Sequence, residues 1–320
     1  MNTLIPSYYL KFHCIGGACK HSCCVNWEID IDSDTYRSYM CRADALGERI
    51  RASISTEENV HFCLGEDGRC PFLNQENLCD IITEAGERTL PEICREHPRF
   101  RNYYGDCLLE LGLGFACEES LACALAEGTL SFLLIEGEVD SLTNLRTDAL
   151  SPLDSSFPEL HGYSGEFLRE KYSVLSALSD ASLSPERRVL QLCEKYGVDT
   201  SNEAYGAFFA ALATLEQLDM QWGALISFAK ESQDHEIMIS ERFVRLLSLF
   251  IFRHATQESL YSLSTVIAFA FHLCRLAEHL HHGREAQYPY ADIVRLLSCE
   301  LEYSEENTEA LLDACEGLIL

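Results

Sequence analysis

Through most of the second half of the chain, apolar residues recur at helical spacing. In residues 164–179, Phe167, Val174, Leu175 and Leu178 fall on one helical face. Ser184 followed by Pro185 supplies an N-cap and then a proline at the first helical position, where its missing N–H costs nothing. The stretch 203–230 reads as one long helix, and further helices are expected over 237–253, 258–281, 290–301 and 305–318. Residues 151–320 are therefore expected to form an all-α domain. A linker rich in proline and serine, SPLDSSFPEL at 151–160, leads into it. No apolar run approaches the roughly 18 residues of a membrane span, so no membrane association is expected.

The first half lacks this periodicity. A helix is expected over 35–53, capped by Asp32 or Ser33. Residues 64–90 read as loop, punctuated by Gly65, Gly68, Pro71 and Gly86. The expected fold is mainly α: an irregular cysteine-rich domain over 1–150, then the helical domain.

Composition sharpens this division. Twelve of the sixteen cysteines lie in residues 1–123. The N-terminus, MNTLIPSYYLKF, has no basic start followed by a long apolar stretch, so no signal peptide and a cytoplasmic location are expected. Cytosolic thiols stay reduced, and a dense cluster of them points to metal rather than disulfides. The net charge of −27 repels phosphate backbones and argues against a nucleic-acid partner. It suits a lysine-bearing protein surface, and it also serves solubility.

The cysteines fall in three groups. The first, CIGGACKHSCCVNW, places Cys14, Cys19, Cys23 and Cys24 around a Gly16–Gly17 pair that lets the loop fold back. Cys19 and Cys23 stand four apart, a spacing that puts both on one face of a helix. Adjacent Cys23 and Cys24 point in different directions: one could ligate while the other packs, or each could serve a different metal site. The second group, RCPFLNQENLCDI, holds Cys70 and Cys79, and the third, PEICREHPRF, holds Cys94 with His97 three residues on. A four-iron cluster takes four thiolates, so seven exceed one cluster. A tetrahedral zinc site accepts the same ligands, and spacing alone does not choose between them. Cys117 is the best further ligand, ahead of Cys63 and Cys107. Cys41, Cys123, Cys193, Cys274, Cys299 and Cys315 read as small buried hydrophobes. Trp27 reads as a packing residue shielding the site.

These motifs resemble the flagellin lysine-N-methylase family, within a broader group of zinc- or iron-chelating cysteine-rich proteins. The resemblance is carried by Tyr9, Phe12, Cys14, Gly16, Cys19, Cys23, Cys24 and Trp27. It continues in the Cys70-Pro71-Phe72-Leu73 segment with Cys79, in Cys94 with Pro98 and Arg99, and in Cys117. More loosely, the arginine-containing helical stretches FLREKYSVLSALSDASLSPERRVLQL and ERFVRLLSLFIFRH match as well. The resemblance implies methyl transfer from S-adenosylmethionine to lysine ε-amines, with flagellin as protein substrate. It also implies an iron–sulfur (4Fe-4S) cluster on the cysteines. The alternative is a zinc- or iron-binding or redox module without methyltransferase activity.

Two weaker signals complete the reading. LLELGLGFACEESL imitates a glycine-rich nucleotide turn with Glu110, Gly112 and Gly114. Ala116 stands at the third glycine and no βαβ alternation follows, so it reads as coincidence. His279, His281 and His282 read as partners of helix C-terminal carbonyls, and Arg253–His254 as a pocket lining or a helix end meeting water.

Overall fold

The opening residues Asn2–Pro6 form a buried strand, and their pairing organises much of the chain. The structure, a computed structural model, describes residues 1–126, 130–135, 150–152, 163–231, 237–282, 284–285 and 287–320. Seven strands occur among the described residues: β1 (Asn2–Pro6), β2 (Ile54–Ser55), β3 (His61–Phe62), β4 (Arg99–Tyr104), β5 (Leu108–Leu113), β6 (Phe132–Ile135) and β7 (Leu150–Pro152). Five make one sheet in the order β4-β5-β1-β6-β7. β1 runs parallel to β5, with Leu4 opposite Glu110, and antiparallel to β6, with Leu4 opposite Leu134.

Two compact units result. One is His13–Phe100 with Cys117–Glu119; the other is Met1–Phe12, Arg101–Ala116 and Ser120–Leu320. They do not follow a cut at residue 150. β1 lies between β5 and β6, which draws the first residues of the chain into the sheet of the helical unit. Mainly α describes the chain, but the helical unit carries this sheet as well as helices. Of the expected linker, Ser151 and Pro152 belong to β7, and 153–160 lie outside the described residues.

The cysteine-bearing unit has short elements. The helix expected over 35–53 is two helices, α1 (Ser33–Cys41) and α2 (Ala45–Ala52). Asp32 caps the first by accepting from Thr35 N at 2.9 Å, and Asp44 caps the second through Gly47 N at 2.9 Å. A second capping aspartate inside the periodic stretch ends one helix and begins another. Short helices α3 (Asp80–Ala85) and α4 (Glu92–Glu96) follow. Ile29, Ile31, Tyr39, Leu46, Ile50, Phe62, Phe72, Ile81 and Leu90 form a small core with Cys70.

The helical unit contains α5 (Glu118–Leu125) from Ser120 onward, α6 (Tyr163–Leu178), α7 (Pro185–Lys195), α8 (Asn202–Leu212), α9 (Met220–Glu231), α10 (Glu241–His254), α11 (Leu263–His281), α12 (Tyr290–Leu297) and α13 (Glu305–Glu316). α7 begins as expected, with Ser184 Oγ accepting from Arg187 N and Pro185 at the first position. Ser240, Ser262 and Ser304 cap α10, α11 and α13 in the same way. The long helix expected over 203–230 is broken between α8 and α9. Leu218 N bonds the Glu300 carboxylate at 2.9 Å and Asp219 Oδ1 accepts from Gln221 N at 2.7 Å, so backbone donors leave the helical ladder. α12 runs on as a π-helical turn over Ser298–Glu302. Phe243 of α10 meets Phe271 of α11 edge-on, with centroids 5.8 Å apart.

The histidine cluster resolves differently from expectation. His279 Nδ1 pairs with the Tyr205 hydroxyl at 2.9 Å, and His281 meets the Tyr290 ring edge-on. Arg253 and His254 are also not at a wet helix end. Both face the buried Glu302 carboxylate, at 3.3 and 2.8 Å.

His272 on α11 is fully buried, stacked on Phe208 at 5.3 Å. Burial, and then the nearby Arg275 charge, lower it to about 4. The unfolded chain takes up this proton as pH falls below about 6.5, whereas the folded chain resists until about 4. Its contribution is therefore complete above pH 6.5 and is lost as pH falls, reaching about 3 kcal/mol near pH 4 at 1.36 kcal/mol per unit. Urea unfolding at neutral and acid pH should show a shallower acid loss in His272→Phe than in the parent. Equal slopes would show that His272 does not carry this loss.

Candidate metal centre

The first cysteine loop is shaped by its glycines. Gly16 has φ +52°, and a Cβ on Gly17 would stand 2.6 Å from the Glu76 carbonyl, so the loop lies against residues 76–78. Cys19 and Cys23 do not share a helical face as expected; the chain between them is non-helical. Its backbone donors are taken elsewhere: Lys20 N and His21 N both bond Glu118 Oε2 at 3.0 Å, and Cys19 Sγ bonds the His21 carbonyl. Glu118 thereby brings its neighbour Cys117 into the same unit as this loop.

Cys24 is held beside Cys70. Cys70 N donates to the Cys24 carbonyl at 2.8 Å, Val25 bridges Arg69, and Asn26 N donates to the Gly68 carbonyl at 2.8 Å. Both turn residues are left-handed, Asn26 at φ +59° and Gly68 at φ +73°, which lets the segments close together. Leu73 bridges Cys79, and Asp80 N donates to the Phe72 carbonyl at 2.8 Å, so the 70–79 loop returns Cys79 toward Cys70. Asn74 Oδ1 ties this loop by accepting from Glu76 N and Leu78 N. Cys94 rides on α4, whose Glu92 N bonds Asp32 Oδ2 at 2.9 Å. Cys24, Cys79 and Cys94 pack against the core that contains Cys70.

The thiols report on one another. Cys24 is lowered to about 7, first by the hydrogen bond from Cys23, then by Ser22 and the Arg69 charge. Cys23 is raised by the same bond, and the charges of Cys14 and Cys117 add to the effect. Burial pushes Cys19 up to about 11, and Cys70 and Cys94 up to about 12. Cys79 is raised by burial as well. Cys24 acts on Cys70, Cys79 and Cys94, and Cys117 acts on Cys19.

Among the described residues no cysteine is joined to another by a disulfide. Among the described residues, no three His, Cys, Asp or Glu side chains stand close enough together to grip a single metal ion. The donor chemistry nevertheless fits a thiophilic metal: Cys14, Cys19, Cys23, Cys24, Cys70, Cys79 and Cys94 all belong to one small unit. So does Cys117, whereas Cys107 bonds the Tyr104 carbonyl in the other unit. Cys193, Cys274 and Cys315 are buried among helices, as small hydrophobes are, while Cys41 is exposed. His97 meets Trp27 edge-on at 5.6 Å. Tyr39 is a wall of the site that spacing did not reveal: its hydroxyl donates to the Thr89 carbonyl at 2.6 Å. Burial, and then the charges of Cys94, Cys79 and Cys70, raise it.

The glycine-rich turn after β5 does not fit an S-adenosylmethionine cradle. Glu110 is fully buried against Lys171, and a Cβ on Gly114 would lie 2.2 Å from the Tyr303 hydroxyl and 2.8 Å from Arg253. β5 and the next described strand, β6, also flank β1 in opposite senses, so among the described residues no parallel crossover follows this turn.

No family model and no solved structure matches the chain. It is similar to a lysine-N-methylase of Salmonella typhimurium (strain LT2), 28% identical over 123 residues, which are 36% of this chain and 30% of that protein. It is similar in the same degree to a lysine-N-methylase of Salmonella choleraesuis (strain SC-B67). A flagellar biosynthetic protein FliU of Salmonella muenchen is 29% identical over 123 residues, 36% of this chain and 71% of that protein. The match thus spans about 30% of the length of the lysine-N-methylases. Among the described residues no helix is long and apolar enough to cross a membrane. Over the matched stretch the chain is similar to proteins named lysine-N-methylase, as its cysteine pattern also resembles that family.

Proposed function

We propose that the protein methylates lysine side chains of flagellin, with S-adenosylmethionine as methyl donor and a cysteine-ligated iron–sulfur centre. The observation that carries this reading is the similarity to proteins named lysine-N-methylase, together with the cysteines gathered in one unit. The name of the FliU relative supports the flagellar substrate.

A lysine amine must shed its proton before it attacks a sulfonium methyl. The protein's part begins with attraction, and a net charge of −27 draws a basic segment. The cysteine-bearing unit also has an open groove lined by Asp30, Asp32 and Glu92 with Ile31, Val60 and Ile93. Carboxylates beside an apolar wall suit an ammonium on a methylene stem. The iron–sulfur centre would be held by members of the set Cys14, Cys19, Cys23, Cys24, Cys70, Cys79 and Cys94. Bound there, it would cross-link loops that are far apart in sequence. Each thiol gives up its proton to solvent on ligation, against the upward pull of burial on Cys70 and Cys94.

Flagellin co-expressed with the protein should gain methyl increments on lysine, read by mass spectrometry of the intact flagellin and its peptides. Calorimetric titration should show S-adenosylmethionine binding. No methyl increments and no binding heat, with the metal centre intact, would overturn the proposal in favour of a metal-binding or redox module.

A further inference from the structure

We infer that an extended, lysine-bearing segment of a protein substrate docks on the cysteine-bearing unit beside Asp30, with one ammonium between the Asp30 and Glu92 carboxylates and its methylene stem against Ile93. This rests on the lysine-substrate reading above and deepens it, since the lysine bound here is one that is recognised and not the one that reacts.

The backbone at Asp30 is an open strand edge. Ile31 N donates to the Val60 carbonyl at 2.8 Å and Phe62 N to the Ile29 carbonyl at 3.1 Å, with Asp30 opposite His61 in the antiparallel sense. These two bonds flank the Asp30–His61 pair, so the N–H and carbonyl of Asp30 itself point away from 60–62. Among the described residues they bond no other backbone group. β2 pairs with β3 on the opposite side, which leaves 29–31 as the outer of three short strands. An outer strand with bare N–H and carbonyl groups accepts a further extended chain. Ile29 and Ile31 are buried in the core of the unit, and alternation turns the Asp30 side chain outward.

Charge decides which kind of chain fits. Several acids of this unit already have an arginine: Asp34 pairs with Arg37, Asp44 with Arg42, and Asp80 and Glu84 with Arg49. Asp32 has both carboxylate oxygens engaged, by Thr35 N and Glu92 N. The Asp30 and Glu92 side chains are exposed and have no ion pair among the described residues. Both line the open groove together with Ile93, which is 45% exposed. The adjoining hollow, which shares Asp32 and Glu92, is lined by Arg88 and Arg95 and repels a further cation. A lysine suits the first groove because its stem covers apolar surface while its head meets the carboxylates. Two carboxylates also favour the protonated amine. A protonated amine has no lone pair to attack a methyl group, so this groove holds a lysine that aligns the substrate.

The test is fluorescence anisotropy of the full chain, as purified, with a labelled peptide that alternates lysine and threonine. The parent should bind it. The peptide with norleucine for lysine, which keeps the stem and lacks the charge, should bind much more weakly, as should a lysine peptide with N-methylated backbone amides. Asp30→Asn/Glu92→Gln should weaken binding of the lysine peptide about tenfold. Glu66→Gln/Glu76→Gln removes two exposed carboxylates of the same unit outside the groove and should bind like the parent. All these side chains are exposed, and far-UV circular dichroism should match the parent. Methylation of flagellin by Asp30→Asn/Glu92→Gln should show a raised KM at unchanged kcat. Equal binding by Asp30→Asn/Glu92→Gln and the parent, or an equal loss in Glu66→Gln/Glu76→Gln, would overturn the inference, as would equal binding of the norleucine or N-methylated peptide. Methylated flagellin with no peptide binding would overturn the docking groove alone. Groove-dependent peptide binding with no methylation would overturn the proposed activity and leave the groove standing.

Discussion

Stripping the proposed metal from the protein with a strong chelator should melt the cysteine-bearing unit while the helical unit stays folded. The unit His13–Phe100 with Cys117–Glu119 has a core of ten residues, helices of nine, eight, six and five residues, and two strands of two residues each. A core of that size supplies only a few kcal/mol, and small domains with so limited a core commonly add a staple. A structural metal on thiolates contributes on the order of 10 kcal/mol of apparent binding energy, more than such a core provides. Limited proteolysis should therefore cut within residues 13–100 at least about 100-fold faster after chelation, since each 1.4 kcal/mol is tenfold. The far-UV signal of the helices should keep most of its amplitude, because α10 and α11 have a buried core of their own. Unchanged protease resistance after complete metal removal would show that the ten core residues suffice and that the thiols only pack.

The other large effect concerns Lys171. Its ammonium and the Glu110 carboxylate are both wholly buried and 2.7 Å apart. Tyr104, Tyr172 and Asn102 donate to the same carboxylate, and Lys171 also donates to the Phe252 carbonyl at 2.9 Å. Burial pulls Lys171 down, and the Glu110 charge opposes that pull without cancelling it. Replacing Lys171 by Met leaves a carboxylate in the middle of β5 with no cation. The expected cost is about 3–5 kcal/mol, a large share of the roughly 5–15 kcal/mol of a typical domain. The double variant Lys171→Met/Glu110→Leu removes both charges and should recover most of that loss. Urea denaturation followed by far-UV circular dichroism gives both numbers. A single variant within about 0.5 kcal/mol of the parent would show that the buried pair does not carry this stability.

Glu110 illustrates why long-range partners are illegible in the sequence. In sequence it sits in LLELGLG and imitates the acid of a nucleotide-binding turn. Its partner is 61 residues away on α6, and only the packing of that helix against the sheet unites them. The sheet was missed for the same reason. β1 is short, and it pairs only when it meets strands far along the chain, as Asn2 meets Leu108 and Leu4 meets Leu134. The break at Asp44 carries a local signal that the apolar period concealed, since aspartate before Ala-Leu-Gly is an N-cap. The break between α8 and α9 depends on Glu300, far along the chain.

What the sequence determined by itself is local chemistry. Ser184 and Pro185 start α7 because the cap and the ring act within one turn. The motifs around Cys14–Cys24, Cys70, Cys79 and Cys94 sufficed to mark a resemblance to the lysine-N-methylases, to which part of the chain is similar, because thiol spacing is written in the chain. Which thiols face one another was left to tertiary structure. Cys23 and Cys24 are neighbours by one bond, yet Cys24 is placed by its backbone pairing with Cys70, and Cys23 shares its loop with the Glu118 clamp. Side-chain direction in a non-helical turn follows from long-range hydrogen bonds and packing, and these form only when distant segments meet.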